Sequence, residues 1–172
     1  MSAQPEKVNV LMVCLGRSPM AEAVLKHQIT ARPDSFKARF DVRVDSAGTG
    51  AYHEGDSADS RQKLIGSQHN VPINCIARAV ERQDFQKFDY ILAMDQNNLE
   101  TLLHRKPAGS KAQVSMFGSF DPSVPKANHG SHKTRAKEID DPYYGGRDGF
   151  DKSFERCTKF GYGFLDYLET RG

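Results

Sequence analysis

The sequence predicts an α/β fold in which helices cover both faces of a parallel β-sheet. Short apolar runs at residues 8–13 and 89–94 are typical of strands that are buried on both faces. A helix start follows each run, so strands and helices alternate along the chain, as they do in parallel sheets with right-handed crossovers. In such folds ligands bind beyond the carboxyl ends of the strands, at the switch point of strand order.

Hydrophobic periodicity and capping residues predict the individual elements. The chain 32–38 is a polar connection, 73–80 has no assignment, and 119–137 lacks periodicity and is expected to be a mobile surface loop. The predicted strands are 8–13, 40–44, 89–94 and about 114–116. The first two predicted helices are 20–30 and a helix from 57 or 59 to about 68. A third helix is capped by Asp95 and has Leu99, Leu102 and Leu103 on one side, and a fourth spans 150–168 with Phe154, Phe160, Phe164, Leu165 and Leu168 as its apolar members.

Composition indicates one ordinary globular domain over residues 1–172. A formal net charge of +2 gives no reason to expect nucleic acid or an anionic membrane as a partner. The N-terminus has no apolar signal-peptide core, and no apolar stretch is long enough to cross a bilayer. Three scattered cysteines, Cys14, Cys75 and Cys157, favour a reducing cytoplasm.

The chemistry is expected in the stretch from Val8 to Ala23, which reads VNVLMVCLGRSPMAEA. An apolar run ends at Cys14, and Ser18 and Pro19 are typical residues for a helix cap and first turn. A helix N-terminus presents unpaired amides and the positive end of its macrodipole to the same point. The residue types and spacing therefore predict an anion site, whose field would favour a thiolate at Cys14.

Two motifs resemble the low-molecular-weight protein tyrosine phosphatases. One is the strand that leads through Cys14, Arg17 and Ser18 into Pro-Met-Ala-Glu-Ala, and the other is Asp-Pro-Tyr-Tyr at residues 141–144. The resemblance covers almost the whole chain and implies a three-layer, flavodoxin-like fold with a four-stranded parallel sheet of order 2-1-3-4. It also implies hydrolysis of phosphotyrosine proteins or small aryl phosphates through a phosphocysteine. We expect no cofactor, no metal, and a monomer or a weak homodimer.

The resemblance implies a role for three catalytic residues. Cys14 would attack phosphorus, Arg17 would hold two phosphate oxygens with its planar fork, and Asp141 would protonate the leaving phenolate and later activate water. Asp140 fits this role less well, because the acid of the family directly precedes the proline. Predicted phosphate- and substrate-binding residues are Leu15, Gly16, Ser18, Ser46, Tyr52, Tyr143 and Tyr144.

The phosphate loop departs from the family pattern. Family members carry five residues between cysteine and arginine, whereas only Leu15 and Gly16 separate Cys14 from Arg17. Two intervening residues span about 10 Å when fully extended, and much less when curled around an anion. Because each lost preorganised donor costs about 3 to 4 kcal/mol of transition-state stabilisation, the shortened loop predicts strongly impaired catalysis.

Three hypotheses remain open at this point. The first is a weak or inactive relative that binds phosphotyrosine, another anion or a protein partner. The second is an ordinary tyrosine phosphatase whose written sequence lacks three loop residues, for example through a misplaced splice boundary. The third, an arsenate reductase on the same fold, has little support because further redox cysteines near the loop are absent from the sequence.

Overall fold

A four-stranded parallel sheet forms the centre of the protein. The computed structural model describes residues 4–14, 19–49, 78–133, 136–139 and 146–171. The strands are β1 (Glu6–Cys14), β2 (Phe40–Gly48), β3 (Tyr90–Ala93) and β4 (Gln113–Met116). Their order is β2-β1-β3-β4 and all three pairings are parallel, which confirms the predicted order 2-1-3-4.

The helices agree with the predicted elements except for two short helices, Asp34–Arg39 and Asp84–Lys87, which were not predicted. The described helices are α1 (Pro19–Thr30), α2 (Asp34–Arg39), α3 (Asp84–Lys87), α4 (Gln96–Arg105) and α5 (Gly146–Thr170), with 3₁₀ helices at Phe117–Phe120 and Lys126–Asn128. The predicted polar connection 32–38 contains α2, because Phe36 turns into the core and is 1% exposed. The predicted helix from 57 or 59 to 68 lies outside the described residues.

The end of one strand and the exposure of one side chain also differ from the prediction. β2 continues to Gly48 rather than ending at Val44, because Ser46 and the residues after it pair in register with the last residues of β1. In α4, Leu99 and Leu102 are buried as predicted, whereas Leu103 is exposed. The five apolar residues predicted for the last helix are all buried in α5.

The central strand β1 packs against helices on both of its faces. Val8, Val10 and Met12 lie in one core with residues of α1 and α5. Leu11 and Val13 lie in a second core with residues of α3 and α4. This alternation explains the continuous apolar run in the sequence and confirms the three-layer arrangement.

The sheet topology places its switch point beside Cys14. The order of the strands reverses between β1 and β3, which pair from Val10 with Tyr90 to Val13 with Ala93. Cys14 follows directly as the last residue of β1. The carboxyl ends of β1 and β3 therefore form the edge at which ligands bind in open α/β sheets.

The segment predicted as a mobile loop, 119–137, begins inside the protein. Ser119, Phe120 and Asp121 are fully buried. The Phe120 ring centroid lies 5.0 Å from that of Phe164 and 5.0 Å from that of Tyr167, both in α5. Packing thus holds the start of this segment against the last helix. The mobility of the segment stays a prediction, as does the single domain over residues 1–172.

The same packing brings the backbone of Phe120 very close to α5. A Cβ atom placed on Gly163 would lie 1.8 Å from the carbonyl oxygen of Phe120, well inside contact distance. Glycine is therefore required at position 163 by the close approach of the two segments.

Gly163→Ala is expected to lower the free energy of unfolding by about 1–3 kcal/mol, because the methyl group forces α5 away from Phe120. Urea denaturation followed by circular dichroism measures this change. Lys152→Ala, at an exposed position of the same helix, is the control and should change stability by less than about 0.5 kcal/mol. Equal stability of the two variants would contradict the packing argument.

Candidate active site

Cys14 lies half-buried at the carboxyl edge of the sheet, held between the segments that follow β2 and β3. The amide of Thr49 donates a hydrogen bond of 2.8 Å to the carbonyl oxygen of Cys14. The amide of Met94 donates to the carbonyl oxygen of Val13 at 3.0 Å. These backbone bonds fix the main chain at the position of the thiol without using any side chain.

Helix α1 begins at Pro19, so residues 15–18 alone connect Cys14 to its first turn. The amides of a first helical turn have no partner within the helix and point with the macrodipole toward whatever lies before the N-terminus. A phosphate group and a thiolate both gain from this field. The anion site predicted beside the thiol from the sequence stays a prediction, because residues 15–18 lie outside the described part of the chain.

A second thiol, that of Cys157 in α5, lies in the hydrophobic core and interacts electrostatically with Cys14. Burial raises the pKa of the Cys157 thiol strongly, and the neighbouring Cys14 raises it further. Cys157 is 1% exposed. It therefore stays protonated at physiological pH, whereas Cys14 is accessible from the edge of the sheet.

Ser46 links β2 to α1. Its buried hydroxyl donates a hydrogen bond of 2.7 Å to Glu22 Oε1, and the other carboxylate oxygen of Glu22 lies 2.6 Å from Lys26 Nζ. A serine hydroxyl has one hydrogen, and that hydrogen is used for Glu22 here. The part predicted for Ser46 in phosphate and substrate binding stays a prediction.

A second set of side chains links β2 to α4. Asp95 caps α4, as predicted, by accepting a 2.7 Å hydrogen bond from the amide of Asn98. The Thr49 hydroxyl lies 3.2 Å from Asn98 Oδ1 and 3.4 Å from the carbonyl oxygen of Cys14, so its single hydrogen serves one of these acceptors at a time. The ends of β1, β2 and β3 are therefore joined at one edge.

The segment before the predicted acid is anchored at the same edge. The amide of Ile139 donates a 2.8 Å hydrogen bond to the carbonyl oxygen of Met94, directly after β3. Glu138 Oε2 accepts a 2.9 Å hydrogen bond from the amide of Gln96, and Arg156 donates to the Glu138 carbonyl oxygen. Because β3 is the sheet neighbour of β1, the chain arrives beside Cys14 two residues before Asp141.

Most predicted site residues fall outside the described part of the chain, and Cys14 and Ser46 fall inside it. The residues outside are Leu15, Gly16, Arg17, Ser18, Tyr52, Asp141, Tyr143 and Tyr144. Sequence reasoning missed Glu22, Thr49 and Glu138. Glu22 had one usable signal, since a carboxylate among the apolar residues of α1 indicates a buried partner.

The described residues contain neither a helix long and apolar enough to cross a membrane nor a group of three metal-ligating side chains. His129 has its Nε2 atom 2.7 Å from the carbonyl oxygen of Val124. Its ring therefore takes part in the turns that follow the first 3₁₀ helix.

The fold and the position of the thiol define a three-layer α/β protein with a half-buried cysteine at the end of its first strand, beside the switch point of strand order. Residues 9–170 match the family model described as low molecular weight phosphotyrosine protein phosphatase. A relative with that name in Schizosaccharomyces pombe is 40% identical over 164 residues, which cover 93% of this chain and 96% of the relative. The chain belongs to the low molecular weight phosphotyrosine protein phosphatase family.

Solved structures agree with this assignment. A protein tyrosine phosphatase from Entamoeba histolytica superposes with a TM-score of 0.80 at 35% identity, covering 94% of this chain and 97% of that one. A Drosophila arginine phosphatase superposes with a TM-score of 0.78 at 30% identity, covering 95% of this chain and 99% of that one. The same fold thus occurs in proteins named for different phosphorylated residues.

The two described thiols are expected to differ sharply in reactivity. Iodoacetamide at about pH 8 should label Cys14 in the native protein and leave Cys157 unmodified, because the raised pKa and the burial of Cys157 suppress its thiolate. Peptide mass spectrometry measures labelling at each cysteine, with denatured protein as the control in which both react. Equal labelling rates in the native protein would contradict the assigned burial of Cys157.

Proposed function

We propose that this protein is a phosphatase of tyrosine and small aryl phosphate monoesters that acts through a covalent phosphocysteine at Cys14, and that its shortened phosphate loop strongly impairs turnover. The observation that carries the proposal is the position of Cys14 at the end of β1, beside the switch point and five residues before Pro19, the first residue of α1. Membership of a phosphotyrosine phosphatase family supports the same reaction class. In this proposal the substrates are phosphotyrosine-containing proteins or small aryl phosphates.

The reaction consists of two displacements at phosphorus. The Cys14 thiolate forms a P–S bond while the bond to the phenolic oxygen breaks, and Asp141 gives that oxygen its proton. A water molecule then attacks phosphorus, Asp141 takes a proton from it, and the P–S bond breaks to return the thiolate. Arg17 holds two of the nonbridging oxygens in both steps.

The anchored segment supports the role of Asp141. Two residues of chain reach at most about 7 Å from Ile139, and neighbouring strands lie about 4.8 Å apart. Ile139 is bonded to the residue that follows β3, and β3 is next to β1. A carboxyl group at position 141 is therefore within reach of a leaving group held over Cys14.

The short connection between Cys14 and α1 favours a second candidate function. With residues 15–18 alone between the strand and the helix, fewer amides are available to enclose a phosphoryl group than in a full loop. In the alternative, the protein is an inactive pseudophosphatase that binds phosphotyrosine, another anion or a protein partner. For either function we propose a single cytoplasmic domain that is a monomer or weak homodimer, works without cofactor, and binds neither nucleic acid nor membrane.

Hydrolysis of p-nitrophenyl phosphate separates the two functions. The chain as written should turn over at least about 10³-fold more slowly than a version with three residues restored before Arg17, because the restored amides complete the anion site. Cys14→Ser in the restored protein should abolish the reaction. Robust turnover by the chain as written would contradict the disabling effect of the short loop, and an inactive restored protein would contradict the proposed mechanism.

Phosphotyrosine and phosphoarginine should be compared as substrates, since a structural neighbour is named an arginine phosphatase. Restored protein should hydrolyse phosphotyrosine in preference to phosphoarginine. Preference for phosphoarginine would replace the substrate class proposed here while leaving the nucleophile unchanged.

Asp141→Asn in the restored protein is expected to slow esters with poor leaving groups most, because these need the proton in the transition state. A loss of about 10²-fold for phenyl phosphate and a much smaller loss for p-nitrophenyl phosphate are expected. Steady-state kinetics over a series of substituted phenyl phosphates measures the trend. Asp140→Asn is the matched control, and an equal loss across all leaving groups would argue against the acid role.

A further inference from the structure

Glu22 is a buried carboxylate whose place in the fold needs a reason. It is 5% exposed and lies in α1 between Ala21 and Ala23, which are also buried. Burying a carboxylate costs several kcal/mol unless its oxygens are paired. Replacing a buried ion pair by apolar residues is often neutral for stability. Stability alone is therefore a weak reason for a carboxylate at position 22.

Both oxygens of Glu22 are paired, and the two partners differ. Oε1 accepts the hydrogen bond from Ser46 in the interior, and Oε2 binds Lys26, whose side chain is 54% exposed. The contact with Lys26 lies within α1, whereas the contact with Ser46 connects α1 to β2. Ser46 therefore supplies the part of this cluster that restrains the helix relative to the sheet.

Cys14 and α1 are both tied to β2 and the residue after it by hydrogen bonds. Before residues 15–18, the Thr49 amide holds the carbonyl oxygen of Cys14. After them, Ser46 holds α1 through Glu22. Cys14 and α1 are thus each hydrogen-bonded to β2 or to the residue directly after it.

We propose that Glu22 is a positioning residue of the anion site, which acts through Ser46 to keep the N-terminus of α1 aimed at the thiol of Cys14. This inference rests on the proposed function only in taking the ligand to be a phosphate group. The helix field falls off within the first turn, so a small displacement of α1 weakens its interaction with both phosphate and thiolate.

Four variants separate the link from the charge and from burial. Glu22→Ala and Ser46→Ala remove the hydrogen bond, whereas Glu22→Gln removes the charge and keeps an acceptor for Ser46. Ser115→Ala is the matched control, because Ser115 is a fully buried serine of β4 whose hydroxyl has no hydrogen-bond partner among the described residues. Each variant is made in the full chain as written, and its melting temperature is recorded.

The readout is alkylation of Cys14 by iodoacetamide, followed by peptide mass spectrometry, which needs no catalytic turnover. Inorganic phosphate should protect Cys14, and the protection constant should weaken about tenfold in Glu22→Ala and in Ser46→Ala. The pH midpoint of alkylation should rise in both variants. Glu22→Gln and Ser115→Ala should match the parent in both measurements, and Glu22→Ala/Ser46→Ala should be no worse than either single variant.

Other results would overturn the inference. If Glu22→Ala lowers the melting temperature but leaves phosphate protection and the pH midpoint unchanged, Glu22 is purely structural. If Ser46→Ala weakens protection and Glu22→Ala does not, Ser46 binds the phosphate directly and Glu22 does not position the helix. If phosphate fails to protect even the parent chain, the proposed anion site is wrong, and the pH midpoint alone then decides whether Glu22 positions α1.

Discussion

The structure depends on the parallel register of β1 with its two neighbours. That register ends β1 at Cys14 beside Gly48 on one side, and one residue past the pairing with Ala93 on the other. Backbone hydrogen bonds from Thr49 and Met94 continue the alignment past the strands. Cys14, the Ser46–Glu22 hydrogen bond and the segment 136–139 all take their positions from this register.

Much of the fold followed from patterns that report on local burial. The apolar run of β1 and the cap at Asp95 are determined by residues close in sequence, and both were predicted correctly. α2 was missed because its helical turn depends on Phe36 packing against a core assembled from distant residues. The strand order came from the resemblance and not from periodicity, since pairing across the sheet leaves no local signal in one sequence.

The candidate site shows the same division. Cys14 was identifiable because strand, thiol and helix start are contiguous in the chain. Glu138 was not, because its contact with the amide of Gln96 joins residues that are 42 positions apart. Thr49 contacts the carbonyl oxygen of Cys14 with its backbone amide as well as its hydroxyl. Every residue except proline has such an amide, so the residue type does not predict this contact. The residues that position a site are thus harder to predict than those that react in it.

The cap that Glu138 provides to α4 has a consequence for local unfolding. The Glu138 carboxylate accepts a hydrogen bond from the amide of Gln96 at the start of that helix, and the amide of Ile139 donates one to the carbonyl oxygen of Met94, directly after β3. Release of the segment 136–139 would leave the amide without this acceptor, and fraying of the first turn of α4 would release the segment. Opening of the segment 136–139 and fraying of the first turn of α4 therefore favour each other, which couples local unfolding at two places that are distant in the sequence.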